Sequence, residues 1–121
     1  MARNVLGEEL AACGMTPRTG FLRDGWCRSC AEDLGAHTVC SVMTADFLAF
    51  SARVGNDLST PNDEMGFPGL EPGDRWCLCA GRWQEALEAG VAPPVVLEGT
   101  AAATLEWVRL EDLRRHAVRS S

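Results

Sequence analysis

Hydrophobic and polar positions divide the chain into an irregular first third and a regular remainder. From Gly14 to Gly35 it is dense in Gly, Arg, Asp and Cys and follows neither the helical nor the strand period, so it reads as loop with a short strand near Gly20–Arg23. The apolar, β-branched run from His37 to Met43 predicts a strand. Thr44 is placed to cap a helix over Ala45–Val54 that buries Phe47, Leu48 and Phe50 and closes at Gly55. Asn56 to Gly73 holds three Pro, three Gly and several acids, which predicts a long ordered loop or lid. Pro72-Gly73-Asp74 turns into a strand over Arg75–Ala80, and a helix follows over Arg82–Ala89 to Gly90. Pro93-Pro94 leads into a third strand, Val95–Glu98, biased toward a sheet edge. Ala101–Val108 fits a helix or a short strand. Leu110–Ala117 predicts a terminal helix with Leu110 and Leu113 inward and Arg114 and Arg115 near its carboxyl end.

Few strands, interleaved helices and long loops predict the α+β class. The expected architecture is a single small two-layer domain over residues 1–121, with an irregular Cys-rich segment 14–36 and a regular part 37–118. It has a short mixed or antiparallel sheet, two to three helices and long ordered loops. A doubly wound α/β sheet is the second choice.

Composition narrows the function. Hydrophobic residues make up 46% of the 121 positions and include four Trp, enough for a core without covalent staples. The formal net charge is −6 and all eleven basic residues are dispersed arginines, which argues against nucleic acid as a partner. The longest apolar stretches, such as Val91 to Leu97, are too short to span a bilayer. Met1-Ala2-Arg3-Asn4 opens no apolar leader, so the expected address is cytoplasmic, where thiols stay reduced.

Six cysteines in a chain of this length therefore point to metal, redox or catalytic chemistry before a disulfide framework. Cys27-x2-Cys30-x6-His37-x2-Cys40 is the ligand set of a closed tetrahedral zinc site, although residues three apart on a strand face opposite ways. Cys27–Cys30 is also the natural pair for a redox cycle. On a strand, Arg75, Cys77 and Cys79 share one face while Trp76, Leu78 and Ala80 share the other, placing a guanidinium beside two thiols. If the chain is exported, three bridges form in one of fifteen connectivities.

Several long motifs carry a family resemblance. Asn4-Val5-Leu6-Gly7, Thr19-Gly20-Phe21, His37-Thr38-Val39-Cys40, Gly55-Asn56-Asp57-Leu58-Ser59-Thr60-Pro61 and Gly66-Phe67-Pro68-Gly69-Leu70 occur in order. Pro72-Gly73-Asp74-Arg75-Trp76-Cys77-Leu78-Cys79-Ala80 and Gly90-Val91-Ala92-Pro93-Pro94-Val95-Val96-Leu97-Glu98 follow. Together they resemble a family of small bacterial proteins catalogued as domain of unknown function 2237. The resemblance implies a two-layer α+β fold and no established activity. The family's usual pattern has adjacent cysteines near Cys27 and no counterpart of Cys30.

The leading expectation is thiol chemistry on, or binding of, a small molecule. His37 is the proton acceptor or orienter, Cys40 or Cys79 the reactive thiol, and Arg75 the anion or thiolate partner. Asp57, Ser59, Trp76 and Cys77 are the candidate ligand-binding residues, although Asp57 equally suits turn building. No cofactor is required. The alternative is a non-catalytic zinc-stabilised binding module using Cys27, Cys30, His37 and Cys40. A third reading is an interaction domain with inert buried thiols.

Overall fold

The computed structural model describes residues 2–14, 19, 24–28, 36–62, 64, 67 and 69–118. Two strands, β1 (His37–Val42) and β2 (Arg75–Cys79), form an antiparallel sheet. Three α-helices accompany them among the described residues: α1 (Ala45–Arg53), α2 (Ala80–Glu88) and α3 (Leu110–Arg115). The architecture is α+β. The strand expected near Gly20–Arg23 lies outside the described residues.

Local chemistry explains the boundaries. The Thr44 hydroxyl accepts a hydrogen bond from the Phe47 N–H at 3.1 Å, and Asp46 and Arg53 sit at the ends of α1 that favour their charges. Phe47 and Leu48 are buried, whereas Phe50 is half-buried at the rim. Glycines 55 and 90 follow α1 and α2 with φ of +92° and +79°, in the left-handed region that ends helices. In α3, Glu111 and Asp112 occupy the first turn and Arg114 and Arg115 the last. Leu113 is fully buried and Leu110 is partly so.

The third strand expected over Val95–Glu98 does not form. Val95 makes isolated bridges to Ser41 and Ala117, the former flanked by Val42 N–H to Pro94 O and Val96 N–H to Cys40 O, each at 2.8 Å. A 3-10 turn over Leu97–Gly99 then draws the backbone away, and another covers Ala102–Glu106. This segment still closes the outer edge of β1, so the strand pair presents no long open edge on that side. The buried Asn4 side chain donates to Glu98 O at 3.2 Å and ties the amino-terminal turn to the same segment.

One face of the strand pair carries the apolar core. Val39, Trp76, Leu78, Phe47, Trp83 and Leu113 belong to it. Trp83 is wholly buried and its indole N–H donates to Pro93 O at 3.1 Å, which satisfies its one polar atom. His116 is half-buried with its ring edge-on to Trp83 at 5.6 Å. Among the described residues no helix is long and apolar enough to cross a membrane.

Candidate thiol and disulfide site

The other face of the strand pair is sulfur. The register sets Cys40 opposite Cys77, so their side chains share one side of the ladder. Neither residue spends its N–H on the partner strand. Cys77 N–H donates to the Thr19 hydroxyl at 2.6 Å and Cys40 N–H to the Thr100 hydroxyl at 3.1 Å. This is the non-hydrogen-bonded pairing of an antiparallel ladder, in which side chains approach most closely. Both threonines are fully buried, so their hydroxyls supply acceptors where water cannot.

Each of these strand cysteines bonds to the irregular amino-terminal part of the chain. Cys13–Cys40 and Cys27–Cys77 are disulfides, with Cα separations of 5.6 and 5.2 Å. All four residues are at most 2% exposed and form a cluster of their own, with Val96 packed against it. The Cys13 N–H donates to Gly25 O at 2.6 Å, and Gly25, at φ +93°, donates in turn to Thr19 O at 2.8 Å. The Sγ atoms of Cys13, Cys27 and Cys77 lie within 4.8 Å of one another.

Several expectations are corrected by this arrangement. Cys40 is not a free thiol, because its sulfur is bonded to that of Cys13. Cys77 is likewise bonded to Cys27 and faces the buried cluster rather than a ligand. Cys27 therefore pairs across the fold rather than with its neighbour Cys30, which lies outside the described residues. The expected zinc set loses Cys27 and Cys40 to these bonds. His37 also stands apart from it, because its register partner is Cys79.

That partnership forms a second, smaller site. Cys79 is the free cysteine among the described residues, half-buried at the end of β2 and at the N-cap position of α2. Its register partner across the ladder is His37, also half-buried. The ladder slips between His37 and Val39, so Thr38 is an extra residue that bends the entry to β1. Just before it, Ala36 adopts φ +51°, a left-handed conformation uncommon for a residue with a Cβ. Its carbonyl accepts from Thr38 N–H at 2.7 Å and from Ala80 N–H at 3.0 Å, the latter an amide of the first turn of α2. The bent backbone thereby ties His37 to the helix end that carries Cys79.

Arg75 does not join this site. It is exposed at the opposite end of the five-residue strand, about 13 Å from Cys79 by strand rise. The cysteine that shares its face, Cys77, has no thiol to stabilise.

The loop over residues 56–73 is built from its own polar side chains. Asp57 accepts from the Thr60 hydroxyl at 2.6 Å and from the Ser59 and Thr60 N–H groups at 3.0 and 3.3 Å. The Thr60 hydroxyl above all, and then the Ser59 amide, hold its carboxyl below the usual carboxylate range. Asp57 and Ser59 are thus engaged in turn building. Asn62 and Phe67 pair across the loop, and Phe67 meets Trp76 edge-on at 5.3 Å, so Trp76 faces the core. Gly69 has φ +80°, and a Cβ there would stand 2.5 Å from Ser59 O. Trp26 instead lines a recess of about 240 Å³ with Glu9, Leu10 and Arg28.

Sequence reasoning passes over Cys13, Thr19, Thr100 and Ala36. Cys13 has no cysteine neighbour in sequence, and the threonines act across 58 and 60 residues, beyond any local pattern. The signal for Cys13 is numerical: with Cys40 in the zinc spacing, Cys13 is the one cysteine of six outside every motif.

A family model described as an uncharacterised protein conserved in bacteria (DUF2237) matches residues 3–117. No curated protein matches the chain.

Proposed function

We propose a function from geometry, since the chain belongs to the DUF2237 family, described only as uncharacterised: Cys79 is a nucleophilic thiol served by His37, acting on a small molecule in the cytoplasm. The observation that carries this reading is the register pairing of His37 with the one free, half-exposed cysteine among the described residues. Paired positions on an antiparallel ladder share a face, which is the placement that a histidine base and its thiol require. The substrate class is a small disulfide. His37 takes the proton from Cys79 Sγ, and the thiolate attacks one substrate sulfur. A Cys79–substrate S–S bond forms as the substrate's own S–S bond breaks, and the departing thiolate takes the proton back from His37. A net charge of −6 is in keeping with a small-molecule partner rather than nucleic acid.

The test is reaction of folded, unreduced protein with a small aromatic disulfide, in a Cys30→Ser background so that Cys79 is the sole thiol outside the two bonds. One equivalent of mixed disulfide at Cys79 is expected, read by intact mass and by released aromatic thiolate. His37→Gln is expected to slow the reaction by roughly tenfold or more. A folded protein whose Cys79 stays unmodified overturns the reading, and an unchanged rate in His37→Gln removes His37 from it.

A further inference from the structure

The buried sulfur cluster carries an inference independent of Cys79. Three Sγ atoms, of Cys13, Cys27 and Cys77, lie within 4.8 Å of one another, and the fourth, of Cys40, is bonded to that of Cys13. In a tetrahedral zinc site with four bonds of about 2.3 Å, sulfurs stand about 3.8 Å apart. The Cys40 Sγ lies outside that 4.8 Å group, so its side chain has to turn toward Cys27 and Cys77 once the S–S bonds open to complete a four-sulfur shell.

We propose that reduction turns Cys13, Cys27, Cys40 and Cys77 into a four-thiolate site for zinc. Three of the four donors have backbone N–H hydrogen bonds besides the S–S bonds. Cys40 and Cys77 sit in the ladder, with their N–H groups fixed by Thr100 and Thr19 at 3.1 and 2.6 Å. Cys13 is fixed by its N–H bond to Gly25 O at 2.6 Å. Space beside Cys40 is kept by Gly99, where a Cβ would come within 3.2 Å of the Cys40 Sγ. The site is closed to solvent, with all four cysteines at most 2% exposed, and its donors are soft and uniform. A structural zinc fits that description, and an open catalytic one does not.

The chemistry balances with a small dithiol as reductant. Each protein disulfide accepts two electrons and two protons from one dithiol, which leaves as its own disulfide, so four electrons open both bonds. The four thiols then release their protons as one zinc ion is bound by the thiolates. The metal would close the same cross-fold links in a reducing compartment that the disulfides close in an oxidising one. The donor set differs from the one the Cys27–Cys40 spacing suggests: Cys13 and Cys77 replace Cys30 and His37.

Wild-type protein, reduced by excess dithiol without denaturant and transferred anaerobically to metal-free buffer, is titrated with Zn²⁺ and separately with Co²⁺. One tightly held ion per chain is expected by native mass spectrometry, with the cobalt visible spectrum of tetrahedral four-thiolate coordination. The ion should survive in Cys30→Ser and Cys79→Ser and be lost in Cys13→Ser. Disulfides that resist reduction in the folded protein, a reduced protein that binds no ion, or a cobalt spectrum with nitrogen or oxygen donors each overturn the proposal. The cobalt spectrum is read on the wild type, so a Cys13→Ser chain that fails to fold leaves the answer intact.

Discussion

Cys40 and Cys77 face each other across the β1–β2 ladder, yet each is bonded to a different cysteine from the amino-terminal part of the chain. Direct neighbours on one face of a sheet are thus used as two separate anchor points. The Cys13–Cys40 bond spans 27 residues and Cys27–Cys77 spans 50, so both close long loops. In the chain-entropy description such loops are worth about 3.5–4 kcal/mol each.

Removing one anchor should therefore be costly. Cys27→Ser combined with Cys77→Ser is expected to lower the unfolding free energy of the oxidised protein by about 2–5 kcal/mol. Cys79→Ser, which breaks no bond, should stay within about 0.5 kcal/mol of wild type. Urea unfolding with all three proteins in the same buffer checks this. A double variant as stable as wild type would mean that the bonds add nothing to the packed cluster.

Thr100 is a second point of leverage. Its hydroxyl accepts from Cys40 N–H at 3.1 Å and donates to Val96 O at 2.9 Å, in a fully buried position. Thr100→Val keeps the shape and strands an amide whose other partners are out of reach. The expected cost is about 1–3 kcal/mol, measured by denaturant midpoint, with faster hydrogen exchange at the Cys40 amide. Exchange that stays as slow as in wild type would count against the hydroxyl as that amide's partner.

Ser41 should behave in the opposite way. Its hydroxyl is buried with no hydrogen-bond partner among the described residues, on the face of β1 that looks into the apolar core. Ser41→Ala removes a polar group that has lost water without finding a replacement, so stability should be unchanged or rise by up to about 1 kcal/mol. A loss beyond about 1 kcal/mol would show that the hydroxyl is engaged after all.

Acid should loosen the loop over residues 56–73. The Asp57 carboxyl titrates below its usual value because the Thr60 hydroxyl and the Ser59 amide favour its charged form. Its contribution is fully present above the unfolded value of about 3.9 and is lost as pH falls through the lower folded value. Carbon-detected NMR of the Asp57 carboxyl should give a midpoint below the ordinary range, and Thr60→Val should move it back up. An Asp57 midpoint unchanged in Thr60→Val would remove the hydroxyl as the cause.

Much of this fold is legible because its signals are local. Thr44 before Ala45, the glycines at 55 and 90, and the apolar run from His37 each act within a few residues, and β1, α1 and α2 form where those signals put them. The two-sided reading of β2 also holds for Trp76 and Leu78, which enter the core, and for Cys77, which enters the sulfur cluster, whereas Ala80, expected in the strand, is the first residue of α2. Val95–Glu98 misleads because its β-branched composition suits a strand, whereas Asn4 and Thr100 draw the backbone into a 3-10 turn. The pairing of the cysteines is not fixed by local signals. Spacing favours Cys27 with Cys30, but tertiary folding brings Cys77 to Cys27 from 50 residues away and Cys13 to Cys40 from 27.

The Cys40–Cys77 register has a consequence for how errors are caught. Sliding β1 by one residue against β2 would turn Cys40 toward the apolar layer and bring Val39 to the sulfur side. Cys13 would then find no thiol within bonding distance, and Cys77 would sit beside a valine. Closure of the Cys13–Cys40 bond thus reports on register: a misaligned sheet keeps two unpaired thiols, and only the correctly threaded chain is sealed.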